Sequence, residues 1–88
     1  MNYKHLERIT RGFSNHRRIQ ILDSVKRFPE MSVEEIASKF SINYKTAADH
    51  IRRLAIAGLV LKRNEGAAVR HRLTPRAENV LKFLRTLE

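Results

Sequence analysis

The sequence predicts a mainly α-helical domain that carries one small β-hairpin. Three observations predict it. A capped helix, a short turn and a second amphipathic helix run from Ser32 to Leu54. Two short segments with strand-like alternation follow between Leu59 and Leu73. A last apolar stripe at helical spacing runs from Ala77 to Leu87.

Residues 3 to 11 read as a first helix. Tyr3, Leu6 and Ile9 share a face, Asn2 can cap it and Gly12 can end it. A second helix starts at Ser14 or Asn15 and stops before Pro29. Ile19, Leu22 and Val25 form its core face, and Ile21 and Phe28 widen that face, which predicts burial on more than one side.

The third helix opens at Ser32. Glu35 stands three residues on, the spacing of a capping box, in which hydroxyl and carboxylate each satisfy an orphaned backbone N–H. Val33, Ile36, Ala37 and Phe40 recur at helical spacing. Ser41-Ile42-Asn43 is too short to be more than a turn, and Asn43 can cap the next helix. In that helix Ala47, Ile51 and Leu54 share one face, and Gly58 is a suitable stop. At about 100° per residue, Lys45, Thr46, Asp49, Arg52 and Arg53 fall on the opposite face.

Leu59 to Arg63 and Val69 to Leu73 read as two strands, with Asn64 to Ala68 as a five-residue loop containing one Gly for a positive φ. On the return strand Val69, His71 and Leu73 alternate with Arg70 and Arg72, so one face can cover the core. Thr74-Pro75 restarts a helix, with Thr as cap and Pro at its first position. Ala77, Val80, Leu81, Leu84 and Leu87 make its stripe, and Phe83 broadens it. Met31 is placed to add a short extra strand. The order α-α-α-α-β-β-α, with a basic hairpin after a helix-turn-helix, is the winged helix-turn-helix arrangement.

The 88 residues suit one domain over 1–88. Eighteen Lys and Arg against nine Asp and Glu leave a net charge of +9. So basic a short chain has the electrostatic footprint of a nucleic-acid binder. Anionic membranes attract such charge too, but no segment is apolar enough to span or anchor. The chain has no cysteine, which excludes disulfides and thiolate metal sites. The N-terminus lacks a secretory apolar run. A cytoplasmic protein is expected.

The helix face and the wing together point to duplex DNA. A second helix with a polar outer face enters the major groove. Lys45, Thr46, Arg52 and Arg53 are the candidates for base edges and phosphates, since Arg binds guanine O6 and N7 bidentately. Asn43 opens the helix. Tyr44 either reaches a phosphate or packs on the turn. Asp49 can accept from cytosine N4, but its spacing favours pairing with Arg52 or Arg53, or with Lys45, to orient them. Lys62, Arg63, Arg70 and Arg72 are the wing cations expected on the phosphate backbone. Ile56 is an apolar residue on the outer side; it either tucks under the wing or marks a partner surface.

His5, His16, His50 and His71 are too scattered to suggest a ligand cluster. His50 and His71 read as half-buried packing residues. No nucleophile elbow, phosphate loop or zinc-protease pattern occurs, so no enzyme, cofactor or metal is expected. The terminal helices offer surplus apolar surface in Tyr3, Leu6, Ile9, Val80, Leu81, Phe83, Leu84 and Leu87. Residues 3–11 and 75–88 are therefore expected to form a two-fold homodimer interface.

Three stretches resemble the ArsR-type winged-helix transcriptional regulators, with looser similarity to MarR-type proteins. Phe13 to Leu22 resembles the family's opening helix, with His16 where a Pro is usual. Met31 to Phe40 resembles its "LSVEELA" helix start. Thr46 to Val60 resembles the signature S-x-x-S-x-H-L-x-x-L-x-x-A-G-L-V through His50, Leu54, Ala57, Gly58, Leu59 and Val60. The resemblance implies a homodimer on a partly palindromic operator, usually as a repressor. It also implies metal sensing in the founding members, but Ser32 to Ala37 holds no cysteine and Pro75 to Glu88 no His or Asp. The DNA-binding role carries over and the metal-sensing one does not.

Two other functions compete. A protein-interaction module would use its charge only incidentally, and the cationic outer face argues against it. An RNA-binding winged helix shares the phosphate attraction. RNA readers usually stack bases on aromatics, and only Tyr44 lies near the expected surface.

Overall fold

Every helix of this chain opens on a side-chain cap. The computed structural model describes all 88 residues, Met1–Glu88. Its elements are α1 (Tyr3–Phe13), α2 (His16–Arg27), α3 (Val33–Phe40), α4 (Tyr44–Ile56), β1 (Val60–Glu65), β2 (Ala68–Leu73) and α5 (Pro75–Thr86). Asn2, Asn15, Ser32, Asn43 and Thr74 accept from first-turn N–H groups of the helices that follow them. These small polar residues satisfy donors that a helix start otherwise leaves orphaned. The box at Ser32 is reciprocal: Glu35 N–H donates to Ser32 Oγ at 3.1 Å and Ser32 N–H donates to Glu35 Oε1 at 3.0 Å.

The first helix runs two residues past its expected end. Gly12 does not stop it; Gly12 is buried within it. Gly58 does stop α4, at φ +73°. Its N–H reaches Ala55 O and the Leu59 N–H reaches Leu54 O, the paired bonds of a Schellman ending.

The core gathers Ile21, Leu22 and Val25 of α2, Ile36 of α3, Ile51 and Leu54 of α4, Leu59, and Ala77 and Leu81 of α5. Each fully buried Leu or Ile contributes ~1.5–3 kcal/mol. Ile19 is only half-buried. Phe28 is 54 % exposed, against expectation. It caps the end of α2 rather than continuing its face, and the Lys39 ammonium sits 4.9 Å from its ring centre. Leu81, expected at a dimer surface, is 4 % exposed. It points inward with Ala77, one turn earlier on the same stripe, so no partner can reach it.

The strands pair antiparallel from Val60↔Leu73 to Glu65↔Ala68. Only Gly66 and Ala67 are left between them, so the expected five-residue loop is a two-residue turn. Gly66 has φ +59° and Ala67 does not share a positive φ, the pattern of a type II′ turn. Only Val60 on β1 and only His71 on β2 are buried. Val69, expected inward, is exposed because the hairpin projects beyond the core at that point.

Met31 supplies the short extra strand as an isolated bridge to His71. Its carbonyl accepts from the His71 N–H at 3.0 Å and from the ring Nδ1 at 2.8 Å. A carbonyl can only accept, so the ring proton is on Nδ1. His71 Nε2 is buried without a protein partner. His71 is fully buried, not half-buried as its register alone suggests.

No helix is long and apolar enough to cross a membrane.

Candidate nucleic-acid interface

The packing of α4 decides what it can show to a ligand. Ala47, Ile51 and Leu54 are buried at 0–2 % against the other helices. Lys45, Thr46, Arg52 and Arg53 are therefore turned outward and exposed. Tyr44 is 56 % exposed at the start of the helix. Asn43 is committed differently: its side chain accepts from the Thr46 N–H at 2.8 Å. It holds the helix start and orients Thr46.

Asp49 pairs as its spacing suggests. Arg52 Nη2 donates to Oδ1 at 2.7 Å and Arg53 Nε donates to Oδ2 at 3.0 Å. The Arg52 hydrogen bond, then that of Arg53, holds the Asp49 carboxyl below the usual carboxylate range. One carboxylate thus fixes two guanidiniums on the outer face. Lys45 remains free of it.

His50 lies beside this face, half-buried. Arg18 Nη1 meets its Nδ1 at 3.3 Å. Guanidinium only donates, so Nδ1 accepts and the ring is neutral. Burial, then the Arg18 charge, lowers its pKa. Arg18 also donates to the carbonyls of Gly12 and Arg11 at the end of α1. It ties α1, α2 and α4 together.

The wing is less free than its sequence suggests. Arg63 donates to Glu30 at 2.9 Å and to Glu65 at 3.1 Å. Arg70 meets Glu65 at 3.2 Å and Glu35 at 3.8 Å, and donates to the Glu30 carbonyl. Arg72 lies 3.5 Å from Glu30. Three guanidiniums therefore face three carboxylates, and Lys62 alone among the wing cations has no acidic partner. Arg63, Arg70 and Arg72 share one face of the hairpin, while Lys62 stands opposite His71 on the other.

At the far end of α4, Arg52 and Arg53 are joined by Arg8 and Arg11 of α1 and by Arg76 of α5 around one cleft. Sequence reading of α1 followed only its apolar face and passed over these arginines. The spacing of Lys4, Arg8 and Arg11 at i, i+4 and i+7, which puts three cations on one flank of α1, was the available signal. No three His, Asp or Glu side chains gather closely enough to share a metal ion.

Residues 15–77 match the family model for the winged helix DNA-binding domain. No curated protein sequence matches the chain. Among solved structures, it is similar to the homodimeric winged helix-turn-helix DNA-binding domain of a possible ArsR-family transcriptional regulator from Mycobacterium bovis. That match has 28 % identity and a TM-score of 0.88, over 97 % of this chain and 79 % of that one. It is also similar to reduced HlyU from Vibrio cholerae, at 26 % identity and TM-score 0.83, over 98 % of this chain and 90 % of that one. The transcriptional regulator HlyU from Vibrio vulnificus matches at 28 % identity and TM-score 0.76, over 99 % and 98 % of the two chains. The family match takes in the turn between α3 and α4, the hairpin and the start of α5, so the chain belongs to the winged helix DNA-binding domain family.

Proposed function

We propose that this protein is a sequence-specific, duplex-DNA-binding transcriptional repressor of the ArsR type that works as a homodimer. The observation that carries the reading is the outer face of α4. Lys45, Thr46, Arg52 and Arg53 are exposed on it, directly opposite a side locked into the core. In this reading α4 lies in the major groove and the wing follows the backbone. Base contacts specify and phosphate contacts position. Lys62 makes the readiest phosphate contact, because Arg63, Arg70 and Arg72 must first exchange carboxylates for phosphates.

The dimer reading rests on Tyr3 and Leu6 of α1 and on Phe83 and Leu87 of α5, all exposed, with Ile9, Val80 and Leu84 half-buried behind them. The homodimeric Mycobacterium bovis domain supports it. A two-fold dimer would place two half-sites about one DNA turn, roughly 34 Å, apart.

Fluorescence anisotropy on a selected duplex and a scrambled one, across a salt series, tests the reading. Arg52→Gln should cost ~1–3 kcal/mol on the selected site and little on the scrambled one. Lys62→Gln should weaken both alike and lower the salt slope by about 0.9. Equal affinity for single-stranded RNA would overturn it.

A further inference from the structure

A cleft of about 400 Å³ lies beside the contact of α1 with the C-terminal end of α4, closed on one side by Arg76 of α5. The buried Ala57 and half-buried Ile9 make its floor apolar, Ile56 stands at its edge, and five arginines and His5 line it as well. No carboxylate lines it. Most of these cations are partly committed: Arg11 to Glu7, Arg52 and Arg53 to Asp49, Arg76 to the Ala57 carbonyl at 2.9 Å. Arg8 has no ion pair or side-chain hydrogen bond among the contacts of the chain, and Ile56 is 75 % exposed at the cleft edge.

Like charges around a concavity focus the field and concentrate anions there. Guanidinium binds carboxylate and phosphate oxygens through paired, charge-assisted hydrogen bonds. An apolar floor adds affinity only for a ligand with an apolar body, and the volume is that of a small-molecule pocket. We propose that this cleft binds a small organic anion, a carboxylate or phosphate on an apolar body, and that the bound anion competes with DNA. Competition follows because the anion draws on Arg52 and Arg53, which also stand on the outer face of α4; this part rests on the DNA-binding reading given above.

The cleft shares Ile9 with the proposed dimer patch but otherwise lies on a different flank of α1. At about 100° per residue, His5, Arg8 and Gly12 lie on one flank of α1, and Tyr3, Leu6 and Thr10 on another.

The test uses 1-naphthoate as probe, with acetate (charge without body) and 1-naphthamide (body without charge) as controls. Titration of the free protein, followed by backbone amide chemical shifts, should move Ile9, Gly12, Ile56 and Ala57. Naphthoate should bind, and each control should bind at least about tenfold more weakly. Arg8→Gln and Ile56→Asn, both at exposed positions, should each weaken naphthoate about tenfold. Lys82→Gln removes one remote charge and should leave naphthoate affinity unchanged. Equal affinity in all three variants, or equal binding of the amide, overturns the site. So does conversion of a dimer to monomers by Ile56→Asn in analytical ultracentrifugation, which would give the cleft to a second copy. Loss of duplex affinity in Arg8→Gln without any probe would give it to a DNA phosphate, and also overturns the proposal. Saturating naphthoate should then weaken duplex binding. If the free protein binds naphthoate but duplex affinity does not change, competition is wrong. If the protein binds no duplex at all, the titration alone still decides the site, so the two readings fail separately.

Discussion

Gly12 seats α1 directly on Ala57: a Cβ at Gly12 would overlap the alanine methyl group. The glycine is inside a helix, where it costs about 1 kcal/mol relative to alanine. It is tolerated because only hydrogen fits between the two helices.

Gly12→Ala should therefore destabilise the chain. Overpacking costs about 1–3 kcal/mol, offset by up to about 1 kcal/mol of helix propensity. The double variant Gly12→Ala with Ala57→Gly should recover most of the loss. Urea unfolding of both variants measures this, and a Gly12→Ala chain more stable than wild type would show that the contact is not tight.

Glu65 holds two wing guanidiniums, Arg63 and Arg70. Glu65→Gln should loosen both, although Glu30 still holds Arg63 and Glu35 lies near Arg70, and should raise affinity for any duplex and steepen the salt dependence by less than about 0.9 per arginine. Anisotropy on scrambled DNA reads the change. A flat response would mean that the wing does not touch phosphate.

Acid should loosen the same region. The Arg63 hydrogen bond keeps Glu30 below its ordinary range, the Ser32 backbone N–H does so for Glu35, and Arg52 does so for Asp49. A carboxylate with a lowered folded pKa contributes stability that is fully present above its unfolded value, about 4. That contribution is lost as pH falls through the lowered value. Melting temperature should thus hold steady down to about pH 5 and fall below about 4. Glu30→Gln should melt lower than wild type near neutrality, and the two should converge in acid.

Phe83 and Leu87 are 57 % and 65 % exposed, whereas Leu84 is half-buried. Phe83→Glu should give folded monomers, because it removes a surface contact and no core packing. Leu84→Glu should also unfold part of the population. Sedimentation with circular dichroism separates the two effects. A wild type that stays monomeric at high concentration would remove the dimer.

The elements were legible wherever cause and effect lie close in sequence. Asn43 caps Thr46 and Asp49 pairs with Arg52 within one turn, so spacing alone shows both. Glu30 meets Arg63 across 33 positions, and no local pattern reports that. The same holds for Gly12, read as a stop because its partner Ala57 is out of local view. The hairpin turn was misjudged for a related reason: Asn64 and Ala68 are weak strand formers, and cross-strand pairing extends the ladder through them. On the candidate surface, the identities of the cations were plain, but their pairing was not.

The bridge at Met31 occupies the open edge of β2 at a single residue, while the outer edge of β1 has no partner. Over about 20 Å of strand, unpaired N–H and C=O groups face outward, next to an exposed Leu61. Such an edge invites strand addition from another copy. Lys62 and Arg63 sit on it, and two copies approaching edge to edge would bring these cations together. The charges proposed to draw the wing toward a polyanion thus also keep it from stacking into a continuous sheet with its own kind, and a chain stripped of them should become prone to self-association.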